Sequence, residues 1–349
     1  MAHELPPPAQ MVLLLGGFRI SQALYVAAAL GVPDYLVAGP ASAEHLAGRT
    51  GAHPPSLRRL LRTLTSVGVF TEPEPGVFGL TPLGQTLTSS QPGSMRDVAI
   101  MFMETHYAPF GDLLGTIRTG QPAAERYYGQ PFFAWLSQQP EQASRFTAAM
   151  ANLTGGFKTA AIAALPLDGT GTIVDVGGAD GTVLAAILAA HPQMRGVLFD
   201  LPHVITGAPG ILARYGVGSR AECVGGDFLE SVPPGGDAYL ASLVLHDWPG
   251  EQARRILENI AAAGGSGARL LLIEFVMPPG DAPHLAKISD LNMLAMMGGQ
   301  ERTEAEWREF LTVCGYAGIT IRPTGTPFSV IEATAFLPAP GPAGALLTK

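Results

Sequence analysis

The chain has 349 residues, of which 47% are hydrophobic and 14% charged, with a formal net charge of −8. This composition supplies the core of a globular protein, with length enough for two domains, and excludes an extended disordered chain. Positive charge is nearly all arginine, with lysine only at 158, 287 and 349, so the balance gives no support to nucleic-acid binding.

The N-terminus has no basic run ahead of the short apolar patch at 11–15, and no apolar stretch reaches the roughly 18 residues a membrane span needs. A cytoplasmic protein with no membrane partner is expected. Apolar residues recur at three- and four-residue spacing through 20–29, 99–110 and 132–150, which predicts helices. Ser42 precedes a short helix, Pro54 and Pro55 open a second one through 57–67, and the runs 69–71 and 77–80 flank Glu74-Pro75-Gly76 as a hairpin. Helix, turn, helix and wing make a winged-helix pattern inside a mainly helical part, 1–165.

After Pro166 short β-rich runs alternate with helices. Strands are predicted at 172–176, 196–199, 221–224, 238–243 and 269–276, with helices at 182–190 and 251–263. Such alternation implies a mostly parallel sheet covered on both faces, a Rossmann-like α/β domain over 166–336. A helix at 303–314 and runs at 319–322 and 328–333 close it as a C-terminal hairpin. The Pro-, Gly- and Ala-rich tail, 337–349, is expected to be disordered. Cys223 and Cys314 lie far apart in apolar segments, which marks them as reduced core residues rather than a disulfide or metal ligands.

The strongest local signal is Ile173-Val174-Asp175-Val176-Gly177-Gly178-Ala179-Asp180-Gly181, a buried strand entering a small-residue turn that opens a helix. Glycines there let the backbone approach a ligand at the carboxyl end of the first strand. The turn cannot be written as the dinucleotide pattern Gly-x-Gly-x-x-Gly; it fits Asp-x-Gly-x-Gly-x-Gly, the S-adenosylmethionine loop, with Ala179 at the middle glycine. Asp200, followed by Leu201, ends the second strand, where a carboxylate can take both hydroxyls of a ribose. Gly226-Asp227-Phe228 follows the third strand and offers a carboxylate and an aromatic face for an adenine.

Ser242-Leu243-Val244-Leu245-His246-Asp247-Trp248 ends the fourth strand on the same edge. A histidine there can take a proton from a hydroxyl while Asp247 or another acid holds its tautomer. Glu274 is a carboxylate in an apolar run, unusual unless paired or functional. In Gly299-Gln300-Glu301-Arg302-Thr303, a capping box of Thr303 with Glu306 leaves Glu301 as a second acidic partner. Met103 and Tyr107, Met150, and Asn292 with Met293 are candidates for an adaptable apolar acceptor pocket, and Asp247 is a further substrate-binding candidate.

Together these motifs resemble the plant-type small-molecule O-methyltransferases and their bacterial relatives, over nearly the whole chain to about Ala335. The resemblance implies a Rossmann-like methyltransferase domain, S-adenosylmethionine as cofactor, no metal, and a winged-helix-like domain that mediates a homodimer and helps cover the partner's active site. Residues 1–100 carry six arginines and six acids, in keeping with dimerisation rather than DNA contact. The resemblance further implies that Asp175, Gly177, Gly178, Asp200, Leu201, Gly226, Asp227 and Phe228 hold the cofactor. Ser242 replaces a lysine that many plant members place near it and can still donate a hydrogen bond. His246 is then the general base, oriented by Glu274 and Glu301, and a small aromatic, phenolic or quinone-like molecule is the acceptor. Ala179 fits the loop provided its φ is negative. Methylation of nitrogen, a non-methylating use of the same site, and a winged-helix DNA-binding regulator are the alternatives.

Overall fold

The computed structural model describes residues 5–336; the expected disordered tail, 337–349, lies outside them. By contacts the chain divides into one unit of residues 1–112 and 133–156 and another of 113–132 and 157–349. The expected single boundary at 165 differs from this division in 113–132 and 157–165.

In the first unit a three-stranded sheet has the order β1–β3–β2, with β1 at Ala41–Ser42, β2 at Phe70–Glu74 and β3 at Val77–Leu80. Ser42 caps the helix Ala43–Thr50, its hydroxyl accepting the N–H of His45, and Pro54 opens the helix Pro54–Ser66. Leu57, Leu61 and Leu64 recur along one side of the latter helix and bury it against Leu46, Phe70 and Phe78. The winged-helix arrangement read from the sequence is present.

Two predicted helices are interrupted. The run 99–110 contains a π-helical turn at Phe102–His106 between the helices Arg96–Met101 and Tyr107–Phe110. The run 132–150 breaks before Pro140, which starts a new helix, Pro140–Ala163, as the missing proline N–H requires. Among the described residues no single helix is long and apolar enough to cross a membrane.

The second unit is built on a sheet of order β10–β11–β8–β7–β4–β5–β6. Its strands are β4 (Thr172–Val176), β5 (Arg195–Asp200), β6 (Ala221–Gly225), β7 (Ala238–Ser242), β8 (Arg269–Met277), β10 (Tyr316–Pro323) and β11 (Phe328–Ala335); a two-residue strand, β9 (Arg302–Thr303), also pairs with β8. Pairing is parallel from β6 through β8 and antiparallel for β11 against β8 and β10. The predicted strands are all present, with every end within three residues of its predicted place.

Apolar side chains fill both faces: Ile173, Leu184, Leu188, Leu198 and Leu240 in one cluster, Val174, Tyr239, Ile256, Ile260, Leu272 and Trp307 in the other. The chain runs outward from β4 to β6 and then returns to β7 beside β4. That reversal opens a crevice at the carboxyl ends of β4 and β7, the place where doubly wound sheets bind ligands.

Candidate active site

Gly177 leaves β4 with φ 71°, in the left-handed region. A Cβ at Gly178 would lie 2.4 Å from Leu198 and 2.7 Å from the Asp175 carboxylate, so only glycine lets the loop settle onto the sheet. Ala179 departs from expectation: its φ is +49°, not negative. Its N–H donates to Asp200 Oδ2 at 2.9 Å, and this bond, together with the packing of the loop, holds the alanine where a Cβ is disfavoured by about 1 kcal/mol. Ala179→Gly is therefore expected to raise stability by about 0.5–1 kcal/mol. Thermal unfolding measures this, and an unchanged or lower midpoint would show that the loop carries no strain.

Asp200 also accepts the N–H of Leu201 on Oδ1 at 2.7 Å, tying the end of β5 to the glycine loop. Burial raises its proton affinity, while the two N–H donors pull it back. Asp175 is 0% exposed, and burial pushes its pKa up to about 7. It lies beneath the loop. The N–H of Gly226 donates to the Asp200 carbonyl at 3.0 Å. Asp227 accepts the Leu229 N–H on Oδ1 at 2.8 Å, and the Phe228 ring meets Trp248 edge-on at 5.5 Å. Ser242 Oγ is buried without a hydrogen-bond partner among the described residues.

These groups fit a cationic, hydroxyl-bearing cofactor: three carboxylates end or follow three neighbouring strands, and a buried serine hydroxyl remains to be satisfied. Lys158, on the helix Pro140–Ala163, is a component the sequence did not single out for the site. Burial lowers its proton affinity, and the charges of Asp175, Asp180 and Glu274 act to raise it.

His246 follows β7 through Leu243, a second non-glycine residue with positive φ, 57°, and lies in the short 3-10 turn Leu245–Asp247. Glu274 on β8 holds that turn: its Oε1 accepts the N–H groups of Val244 at 3.2 Å and Leu245 at 3.0 Å. Its Oε2 is 3.8 Å from His246 Nδ1 and has no hydrogen bond among the described residues. Glu301 holds the ring, its Oε1 lying 2.8 Å from Nδ1. Both groups near Nδ1 are carboxylates, so Nδ1 carries the proton and Nε2 is the basic nitrogen of the neutral ring.

Glu301 is fixed in turn. Ser289 Oγ donates to the same Oε1 at 2.7 Å, and the Glu301 N–H donates to Asp290 Oδ1 at 2.8 Å. The preceding loop lies against the histidine backbone: the Gln300 N–H donates to the His246 carbonyl at 2.9 Å, and a Cβ at Gly299 would come within 1.9 Å of that oxygen. Glycine at 299 is what lets the loop bring Glu301 under the ring. Asp247 Oδ1 lies on the opposite side, 3.4 Å from Nε2, so Glu301 and not Asp247 fixes the tautomer.

Burial alone would lower the basicity of His246, but the charges of Asp247, Glu274 and Glu301 outweigh it and raise its pKa well above the ordinary imidazole value. Glu274 is raised by its own burial. His246, Glu274 and Glu301 place donor atoms within 4.8 Å of one another. Nδ1 is committed to Glu301 and Glu274 Oε1 to two backbone N–H groups, which is the arrangement of a held imidazole.

Among the remaining candidates, Met103, Tyr107 and Met150 belong to the first unit, and Asp247, Asn292 and Met293 to the second. Met103 lies in the π-helical turn, and Tyr107, just after it, is exposed. Asn292 is half-buried and Met293 buried on the helix Leu285–Met296.

Comparison with known proteins agrees with this geometry. Residues 110–317 match the O-methyltransferase domain family, and residues 12–90 the O-methyltransferase dimerisation domain. The chain is 41% identical over 332 residues to the phenazine O-methyltransferase PhzM of Lysobacter antibioticus, covering 95% of this chain and 97% of that protein. The crystal structure of LaPhzM superposes with a TM-score of 0.90 at 41% identity, over 95% of this chain and all of that one. NcsB1, an O-methyltransferase from neocarzinostatin biosynthesis solved with S-adenosylmethionine and a hydroxylated naphthoic acid, is 36% identical with a TM-score of 0.80, over 90% of this chain and 96% of that one. With its family shown over most of its length, the chain belongs to the S-adenosylmethionine-dependent O-methyltransferases.

Proposed function

We propose that the protein methylates a hydroxyl of a small aromatic metabolite, phenolic or quinone-like, with His246 as general base. The observation that carries this reading is the 2.8 Å contact between His246 Nδ1 and buried Glu301, which leaves Nε2 to receive a proton. When bound, the cofactor supplies a methyl group already activated on a positively charged sulfur. The protein has to align an oxygen with it and exclude water.

In this reading Asp200 and Leu201 hold the ribose side of the cofactor, Gly226, Asp227 and Phe228 the adenine side, and Gly177, Gly178 and Ser242 the methionine side. Asp175, buried beneath the loop, supports its shape. His246 Nε2 accepts the hydroxyl proton as the oxygen becomes nucleophilic, and Glu301 stabilises the imidazolium that forms. Asp247, beside Nε2, is placed to contact the acceptor. We assign Asn292 and Met293, on the helix Leu285–Met296 of the second unit, to contacts with its apolar part. The matched dimerisation domain and the exposed apolar side chains of Met11 to Leu15 support a homodimer.

The raised proton affinity of His246 predicts a pH dependence. Only the neutral ring accepts a proton, so turnover rises as pH rises, with the midpoint of its acid limb above the ordinary imidazole value of about 6.5. A midpoint at or below that value would contradict the charge arrangement around the ring.

Calorimetric titration with S-adenosylmethionine, followed by a phenol and hydroxyquinone panel read by mass spectrometry, tests the reading. Cofactor binding and the gain of one methyl on oxygen are expected. Methyl gain on nitrogen, or an oxidised product, would overturn the assignment of the acceptor.

A further inference from the structure

Arg302 is 1% exposed, yet it makes no ion pair among the described residues. Its guanidinium lies 4.9 Å above the Trp307 ring and 4.3 Å above the Phe310 ring, and one of its nitrogens donates to the Gln300 carbonyl at 3.4 Å. Strand β9 pairs Arg302 with Val276, two residues beyond Glu274, and the residue before it is Glu301. Trp307 is anchored by its own Nε1, which donates to the Phe275 carbonyl at 3.1 Å, so the aromatic cradle is fixed to the strand that carries Glu274.

A buried cation without an ion pair is costly unless nearby charge and polarisable faces offset its desolvation. The rings supply one part, and the closely spaced acids of the base cluster supply the other. We propose that Arg302 is a positioning residue for the reaction: its ring-held guanidinium is the counter-charge of the Glu301–Glu274–His246 cluster and sets the pH at which His246 becomes a base. This inference rests on the reading of His246 as the base.

Burial lowers the proton affinity of the guanidinium, and Glu274 and Glu301 act to restore it. Glu306, Cys314 and Asp290 also interact with Arg302, Asp247 is the other acid beside His246, and Glu274 also acts on Lys158. Removing the guanidinium leaves the cluster more negative, so every proton in it is held more tightly and the imidazole stays protonated to higher pH.

The test is the pH profile of turnover in Arg302→Gln and Arg302→Lys. Arg302→Gln is expected to move the acid limb up by about one pH unit, so that activity lost at neutral pH returns at alkaline pH. Arg302→Lys keeps the charge and is expected to keep the midpoint. Should Arg302→Gln not fold, Arg302→Met, whose apolar chain still fills the aromatic cradle, is the second neutral variant and is expected to give the same shift. A lower rate at every pH with an unmoved midpoint would make Arg302 a packing residue only and overturn the inference. His246→Ala separates the two levels: if it keeps turnover, the reading of the base fails, whereas if it loses turnover while the neutral Arg302 variants leave the midpoint unmoved, only the inference about Arg302 fails.

Discussion

Replacing His246 by alanine is expected to lower turnover by about 10²–10⁴ while the affinity for S-adenosylhomocysteine stays unchanged. The size follows from the division of labour in the site. Alignment of the acceptor oxygen and exclusion of water remain when the base is removed, so a residual rate survives; what disappears is the proton acceptor and the charge pair it forms with Glu301. The groups assigned to the cofactor lie at the ends of β4, β5, β6 and β7, and none of their hydrogen bonds is to either ring nitrogen, which is why binding is spared. His246 is buried against three acids, so the deletion also leaves a cavity and removes their shared cation, and a stability loss of about 2–4 kcal/mol is expected. His246→Gln fills more of the space and separates this loss from the catalytic one. Unchanged turnover in both variants would remove His246 from the mechanism, and loss of cofactor binding in both would make it a structural residue of the loop.

Much of this site was legible along the chain because its parts lie at strand ends. Asp200, Asp227 and His246 each follow a short β-rich run, and parallel strands joined by helices bring all three to one edge. The glycine loop was legible as a turn, but the φ of Ala179 was not, because the Asp200 carboxylate that pins it belongs to a different strand, 21 residues along the chain. The same limit hid Ser289 and Asp290. They hold Glu301 from the helix Leu285–Met296, 11 and 12 residues back along the chain, and no local pattern distinguishes them from ordinary helix surface. Arg302 was visible as a member of a motif, whereas its burial depends on Trp307 and Phe310 folding back over it. Helix interruptions at 102–106 and before Pro140 were missed for different reasons: a π-turn leaves apolar spacing almost intact, while the proline at 140 was a readable start signal that the surrounding apolar pattern obscured.

The two glutamates beside His246 look equivalent in sequence, but their contacts assign them different work, and their neutral variants should separate. Glu301→Gln is expected to lower turnover by about 10²-fold, since an amide can occupy the same place without the charge that fixes the Nδ1–H tautomer and stabilises the imidazolium. Glu274→Gln should cost less than about 10-fold, because the amide oxygen can still accept the N–H groups of Val244 and Leu245, whose combined worth is about 1–3 kcal/mol of stability. Each of the two buried carboxylates leaves one oxygen without a hydrogen bond among the described residues, so what separates them is the partner of the other oxygen: the ring and Ser289 for Glu301, two backbone N–H groups for Glu274. Glu274→Ala is the contrasting variant: it strands both N–H groups, frees the turn Leu245–Asp247 and should lower thermal stability and turnover together. Turnover and unfolding midpoints for the three variants decide the matter. Equal loss in the two glutamine variants would mean that both carboxylates act on the ring through charge, and that the 3.8 Å separation of Glu274 from Nδ1 is close enough to serve the base directly.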